Sequence, residues 1–284
     1  MINLDYSANK RMWPPVQTIA IAGAKGGIGK SVIAVNLAAA LTVCEREVLL
    51  VDGDLEMGSV DKLLKLTSLY ILSDFCSGSS VLSGTLLQGP EGITVVPSSN
   101  GTPEMANISQ FQHASLVGLF SELPTAADTM IVDVAPGLSE SVLGFCKAAR
   151  EVLVVVTDEP TAMRDAYSTI KVLNEKCRVN RFWIVANMTR SPCHGKQVFQ
   201  SLLHLVDQSV DVLLDYCGSI PFDPLLKLAV CQQQSVVEAY PCSPSALAFR
   251  KLGERVARWP EPQIPCGHIE FFVERLIQPS ISTR

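Results

Sequence analysis

Ala24-Lys25-Gly26-Gly27-Ile28-Gly29-Lys30-Ser31 has the residue types and spacing of a phosphate-binding loop. It follows an apolar run, Thr18 to Ala22, and opens a helix-patterned segment, Val32 to Val43, which is the strand–loop–helix context such a loop requires. Gly26, Gly27 and Gly29 let the backbone around Ile28 wrap a phosphate with successive N–H groups pointing inward, and a helix N-terminus adds positive potential. Lys30 is spaced to reach the β- and γ-phosphates of a nucleotide, and the Ser31 hydroxyl to ligate Mg²⁺. A loop of this kind needs only one lysine, so Lys25 is left over.

Other strand-like runs end in residues that could serve the same site. Val48-Leu49-Leu50-Val51-Asp52-Gly53-Asp54 is an apolar run closing on two acids, placed to manage Mg²⁺ and water; D-G-D is also ordinary turn chemistry. Met130-Ile131-Val132-Asp133 is a second apolar run that ends in an acid, followed by Val134-Ala135-Pro136-Gly137. Phe182 to Ala186 ends at the amide of Asn187, a side chain that can both donate and accept.

Composition sets bounds on the class. The 284 residues are 48% hydrophobic and 18% charged, with a formal net charge of −5 and a mean hydropathy of +0.26. These values suit a globular α/β protein with buried parallel strands and argue against a disordered chain. The acidic balance gives no support to a non-specific nucleic-acid surface, and no direct nucleic-acid partner is expected. Nine cysteines, an odd number, form no C-x-x-C pair; they read as reduced thiols, several of them small core residues, in a cytoplasmic protein. Cys146 has no visible ligand partner for an iron–sulfur role. Met1 to Pro15 lacks the apolar stretch of a secretory signal, and no run of eighteen apolar residues is present.

Strand-like runs at Gln17–Ala22, Glu47–Val51, Ile93–Val96, Thr129–Val132, Glu151–Val156, Phe182–Ala186 and Asp215–Ile220 alternate with helical patterns at Ser31–Val43, Ser109–Leu123, Ser139–Ala149, Thr161–Lys176 and Gly195–Leu205. The alternation predicts an α/β fold with a mostly parallel, twisted sheet covered by helices on both faces, and ligands beyond the carboxyl ends of the strands. The expected organisation is a short N-terminal extension over 1–16, one nucleotide-binding domain over 17–258, a proline-rich linker over 259–266 and a C-terminal amphipathic helix and tail over 267–284.

The K-G-G-x-G-K-[ST] pattern with its early lysine resembles the MinD/ParA class of P-loop ATPases. That resemblance implies ATP and Mg²⁺ as cofactors and a homodimer formed around them. It casts Lys25 as the lysine that crosses the interface to the partner's nucleotide, and Asp54 as the acid that orients the attacking water. Asp52 would support the metal's water shell, and Asp133 would be the acid that holds Mg²⁺ through water together with Ser31. Gly137 would sense the γ-phosphate, and Glu159 would approach the nucleotide across the dimer. Asn187 would meet the adenine, and Pro221 and Asp223, in Ile220-Pro221-Phe222-Asp223, would pack against the base. The class usually has Ser or Thr at the position of Val134 and Ala at that of Pro136; their replacement implies slow hydrolysis or a stiffened switch.

Further matches narrow the resemblance. Asp158-Glu159-Pro160-Thr161, Asp165-Ala166-Tyr167, Ala186-Asn187-Met188, Tyr240-Pro241 and the ending Gly267 to Leu276 are similar to the flagellar number regulators of the class, the FlhG/FleN branch, from about Gln17 to Ile277. In that branch the ATP dimer restrains a FleQ-type AAA+ flagellar activator, and an FlhF-type SRP GTPase is a further partner. Met1 to Pro15 lacks the D-Q-A-x-x-L-R motif with which some members stimulate that GTPase. A positioning ATPase for another cargo and a non-hydrolysing ATP sensor are the rival readings.

The C-terminal segment can be read without the family. Ile269, Phe272, Val273, Leu276 and Ile277 fall at i, i+3, i+4, i+7 and i+8, one face of a helix. Such a face, behind a proline-rich linker, is either a reversible membrane-surface anchor, favoured by two copies on a dimer, or a lid packed on its own domain. Glu270 and Glu274 oppose anionic lipid.

Overall fold

The computed structural model describes residues 13–67, 86–98, 110–121, 123 and 125–277. Its strands are β1 Gln17–Ala22, β2 Val48–Gly53, β3 Leu87–Gln88, β4 Thr94–Val96, β5 Thr129–Val134, β6 Glu151–Val156, β7 Arg181–Thr189 and β8 Leu213–Pro221. Its helices are α1 Lys30–Val43, α2 Val60–Leu63, α3 Gln110–Phe120, α4 Glu140–Ala148, α5 Pro160–Cys177, α6 Pro192–Asp207, α7 Pro224–Cys231, α8 Val236–Ala239, α9 Pro244–Ala257 and α10 Val273–Ile277.

The strands form one sheet in the order β3-β4-β2-β5-β1-β6-β7-β8. All neighbours are parallel except β3, which runs antiparallel to β4. β1, β2 and β5 are buried along their whole length, as apolar strands covered on both faces must be. Within β5, Met130 and Val132 face the core under α3, α4, α5 and α6, while Ile131 faces the core under α1 and α9. A Cβ on Gly253 would stand 2.9 Å from that of Ala40, so α9 approaches α1 as closely as a glycine permits.

All seven strands expected from the sequence are present. The antiparallel β3 and helices α2, α7, α8 and α9 are additions. Three of these helices carry a start signal: the side chains of Asp223, Ser235 and Ser243 accept the N–H of Leu225, Glu238 and Ala246, with a proline opening α7 and α9.

The C-terminal segment differs most from the sequence expectation. Helix α10 spans only Val273–Ile277. Phe272 has φ +55°, a left-handed turn that stops the helix from running back to Ile269, and Ile269 and Ile277 are exposed. The turn drives Phe271 and Phe272 into the core. Phe271 meets Phe120 edge-on at 5.4 Å and stacks on Phe145 at 6.3 Å, and its N–H donates to the Ala148 carbonyl at 3.2 Å. Buried Glu270 pairs with Arg150 at 3.2 Å. The Arg275 guanidinium donates to the carbonyls of Thr125 at 3.0 Å and Ala127 at 3.2 Å, and burial lowers its pKa to about 10. Nor does the proline-rich stretch hang free: Trp259 stacks on Trp183 at 4.3 Å, and Pro262 is buried.

This docking site lies at the N-terminal end of the strands, since Ala127 precedes β5, whereas the phosphate loop follows the C-terminal end of β1. The first twelve residues of the expected extension and residues 278–284 of the tail lie outside the described residues.

Deleting the Phe271 ring should therefore behave as a core truncation. Phe271→Ala should lower the urea unfolding free energy by about 3–5 kcal/mol. A loss below about 1 kcal/mol would show that the tail is not part of the folded body.

Candidate functional site

β1 delivers the chain into the loop Gly23–Gly29 and α1 takes it away. Gly29 sits at φ +90°, and a Cβ there would stand 2.4 Å from the Asn187 amide nitrogen, so both conformation and space require glycine. No side chain caps the N-terminus of α1, which leaves its first N–H groups for an anion. Lys30, the first residue of the helix, is buried, and its Nζ lies 3.4 Å from the Lys25 carbonyl. Burial lowers its pKa, opposed by the nearby charges of Asp133 and Asp54.

Asp52 and Asp133 are register partners on the adjacent strands β2 and β5, and both are buried. Asp52 accepts three backbone N–H groups, from Asp54 at 3.1 Å, Ser59 at 2.7 Å and Val60 at 3.0 Å. It thereby folds residues 54–60 back over the strand tip. Burial still raises its pKa to about 6. Asp133 is raised to about 7, by burial first and by the charge of Asp52 second, against a hydrogen bond from Ser31. Among the described residues its buried Oδ1 has no hydrogen-bond partner. The Ser31 hydroxyl also receives that of Ser59 at 3.0 Å.

The residues present therefore fit a divalent cation. A hydroxyl and two adjacent carboxylates, one with an orphaned oxygen, are hard oxygen donors suited to Mg²⁺. Among the described residues no group of three or more His, Cys, Asp or Glu forms an all-protein metal site.

The other expected site residues fall into two sets. Asp54 and Gly137 join the loop region: Asp54 accepts the N–H of Met57 at 3.0 Å, and the Gly137 N–H donates to the Ala24 carbonyl at 2.9 Å. The Gly137 contact clips the loop after β5 directly onto the phosphate loop. Asn187 is buried and donates to the Ile28 carbonyl at 2.7 Å, so its amide N–H buttresses the phosphate loop from below. Gly26 and Gly27 are exposed at the loop's crest.

Asp223 and Pro221 stand apart. Asp223 accepts the Ser245 hydroxyl at 2.6 Å and the Leu225 N–H at 2.9 Å, tying the start of α7 to the start of α9. Pro221 ends β8, beside an exposed Phe222. Lys25 turns away from its own loop's interior: its ammonium pairs with Glu159 and donates to Thr161 Oγ1 at 3.1 Å.

Sequence reasoning missed Ser59 and Thr161. Ser59 reaches Ser31 across 28 positions and Thr161 reaches Lys25 across 136; Ser59 lies in no motif, and Thr161, although it closes the Asp158-Glu159-Pro160-Thr161 match, carries no local sign of its contact with Lys25.

The paired acids make stability depend on pH. A carboxyl whose folded pKa lies above its unfolded value destabilises the fold where it must ionise. Without nucleotide, in EDTA, stability should fall as pH rises from about 4, the unfolded value, to about 7, the value to which burial and the Asp52 charge push folded Asp133. Urea midpoints at pH 5 and pH 7.5 test this, and Asp133→Asn should flatten the difference. An unchanged slope in that variant would place the effect elsewhere.

Comparison with known proteins agrees with this geometry. The family described as ParA, NUBPL iron-transfer P-loop NTPase, matches residues 16–257. Antiactivator FleN of Pseudomonas aeruginosa is 46% identical over 264 residues, covering 93% of this chain and 94% of that protein. Flagellum site-determining protein YlxH of Helicobacter pylori is 28% identical, over 76% of this chain and 73% of that one. The solved structure of septum site-determining protein MinD from Pyrococcus horikoshii, complexed with Mg-ADP, aligns with a TM-score of 0.70 at 24% identity, over 86% of this chain and 96% of its own. With a phosphate loop, two strand-tip acids and an extra lysine in the arrangement described, the chain belongs to the ParA/MinD family of P-loop NTPases, in its FlhG/FleN flagellar-regulator branch.

Proposed function

We propose that this protein is an ATP-driven dimeric switch that sets flagellar number by binding and restraining a FleQ-type AAA+ activator. The observation that carries the reading is Lys25. It occupies the early position of the K-G-G-x-G-K loop, yet its ammonium lies outside its own phosphate cradle, beside Glu159 and Thr161. A cation so placed is available to the phosphates of a second subunit's nucleotide. Glu159 stands at the same rim.

Within each subunit Lys30 and the free N–H groups of α1 hold the phosphates. Ser31 would ligate the Mg²⁺, with Asp133 and Asp52 supporting it through its water shell; the ion would neutralise charge that develops on the transferring phosphoryl group. Asp54 orients the attacking water. Val134 contributes no hydroxyl and Pro136 no N–H, which supports slow turnover in the absence of a partner. MinC:MinD of Aquifex aeolicus is a complex of a related fold with a protein partner, a precedent for regulation by contact.

Reversible association with a membrane surface through the C-terminal segment is part of the proposal. Among the described residues no helix is long and apolar enough to cross a membrane. Phe272, the aromatic residue of the expected apolar face, is buried in the body, which favours the packed lid; lipid contact would first require undocking. An FlhF-type GTPase remains a candidate second partner.

Oligomeric mass by light scattering with ADP and then with ATP tests the switch. The wild type should shift from monomer to dimer with ATP, while Lys25→Ala should keep nucleotide affinity within about threefold and stay monomeric. A variant that still dimerises would sink the cross-interface role. Asp54→Ala should bind ATP normally, lose ~10²–10⁴-fold in turnover and accumulate as the dimer. Unchanged turnover would remove Asp54 from the chemistry.

A further inference from the structure

We infer that the outer flank of β8 is a docking groove for an extended, acidic peptide segment of a partner protein. This goes beyond the proposed switch and does not depend on it.

β8 is the last strand of the sheet and, among the described residues, has a neighbour strand on one side only. Edge strands present unpaired backbone groups, and extended peptides bind there. A cavity of about 600 Å³ runs along this edge between the first turn of α6 and the length of α9. Its walls include Pro192, Pro221, Leu247 and Leu252, an apolar surface that can take alternate side chains of an extended chain. Leu247 is half exposed, with 47% of its surface open.

The rim is cationic although the chain carries a net charge of −5. Arg190, Lys196, Lys251 and Arg255 line the groove. A second cavity of about 500 Å³, sharing Lys251 and Arg255, adds Arg258 and the stacked Trp183 and Trp259, with Glu254 the acid among them. Lys251, Arg255 and the C-cap residue Arg258 recur at i, i+4 and i+7, so a stripe of three positive charges, with Glu254 beside it, follows the C-terminal half of α9.

Two of these cations are already committed. Arg190 pairs with Asp158 at 3.1 Å, and Arg255 donates to the edge carbonyls of Tyr216 at 2.7 Å and Cys217 at 2.8 Å. Lys196, Lys251 and Arg258 have no ion pair among the described residues. Their charge is complementary to a partner's carboxylates. The apolar floor and the strand edge favour an alternating acidic–apolar peptide over a nucleic acid, whose phosphates would use the charge and leave the floor bare.

The probe is a fluorescein-labelled synthetic peptide, acetyl-(Glu-Val)₄-amide, titrated with the full chain and read by anisotropy. Saturable binding is expected, with quenching or a shift of tryptophan emission from Trp183 and Trp259. The double variant Lys251→Glu/Arg258→Glu should weaken binding at least tenfold, and Lys251→Gln/Arg258→Gln by less, while ATP-dependent dimer mass and turnover stay at wild-type values.

No saturable binding, or equal binding by the charge-reversed variant, would overturn the proposal. So would equal binding of acetyl-(Lys-Val)₄-amide. Equal affinity for acetyl-(Glu-Pro)₄-amide would reduce the site to a polyanion surface without a groove, and overturn it. Tighter binding of a 20-base-pair duplex or of phosphatidylglycerol vesicles, lost in the same variants, would assign the stripe to nucleic acid or lipid instead.

Discussion

Two carboxylates share the buried tips of β2 and β5, and much of the nucleotide end of the molecule is arranged around that unfavourable pair. Asp52 and Asp133 stand in register on adjacent strands, where water cannot screen them. Asp52 is made tolerable by three backbone N–H groups, and the loop over residues 54–60 owes its shape to them. Asp133 has no such escort; one of its oxygens has no partner. Removing a carboxylate from water without full compensation costs several kcal/mol. The arrangement therefore stores a demand for positive charge at one point. That demand is best met by a cation arriving with a phosphate chain, because the same loop supplies the α1 N-terminus and Lys30 to hold that chain.

The parallel sheet separates this site from the tail. Every strand of the central five points its C-terminal end toward the nucleotide side, while Phe271, Phe272 and Arg275 dock where β5 begins. α4 reaches both regions: it starts three residues after Gly137, which is clipped to the phosphate loop, and ends at Ala148, whose carbonyl receives the Phe271 N–H. This helix therefore packs against both, as does β5, which begins beside the Arg275 contact at Ala127 and carries Asp133 near its end.

The sheet and the phosphate loop were legible in the sequence because they rest on local rules. Apolar runs of buried parallel strands stand out without periodicity, and Gly29 and Lys30 sit within one turn of each other. Asp52 and Asp133 were legible for the same reason, each ending such a run. What escaped was set by long-range contacts. Ser59 meets Ser31, and Thr161 meets Lys25, only after the sheet has formed. The period of the tail predicts one helical face from Ile269, but the positive φ of Phe272 and the packing of Phe271 against Phe120 and Phe145 decide the conformation. Helices α7 and α9 were signalled by Asp-Pro and Ser-Pro starts, whose capping chemistry is local and readable.

The pairing of Lys25 with Glu159 in one subunit is compatible with a role for Lys25 in another. Both side chains are substantially exposed, and exposed ion pairs contribute about 0–1 kcal/mol. A lysine held that weakly can be exchanged for the concentrated negative charge of a nucleotide's phosphates at little cost. The pair also lies on the loop that opens α5, so exchange would free Glu159 and Thr161 at the same rim. A tight, buried partner for Lys25 would instead have made its departure prohibitive. Weak retention in the single subunit is thus the condition under which one lysine can report the presence of a second nucleotide.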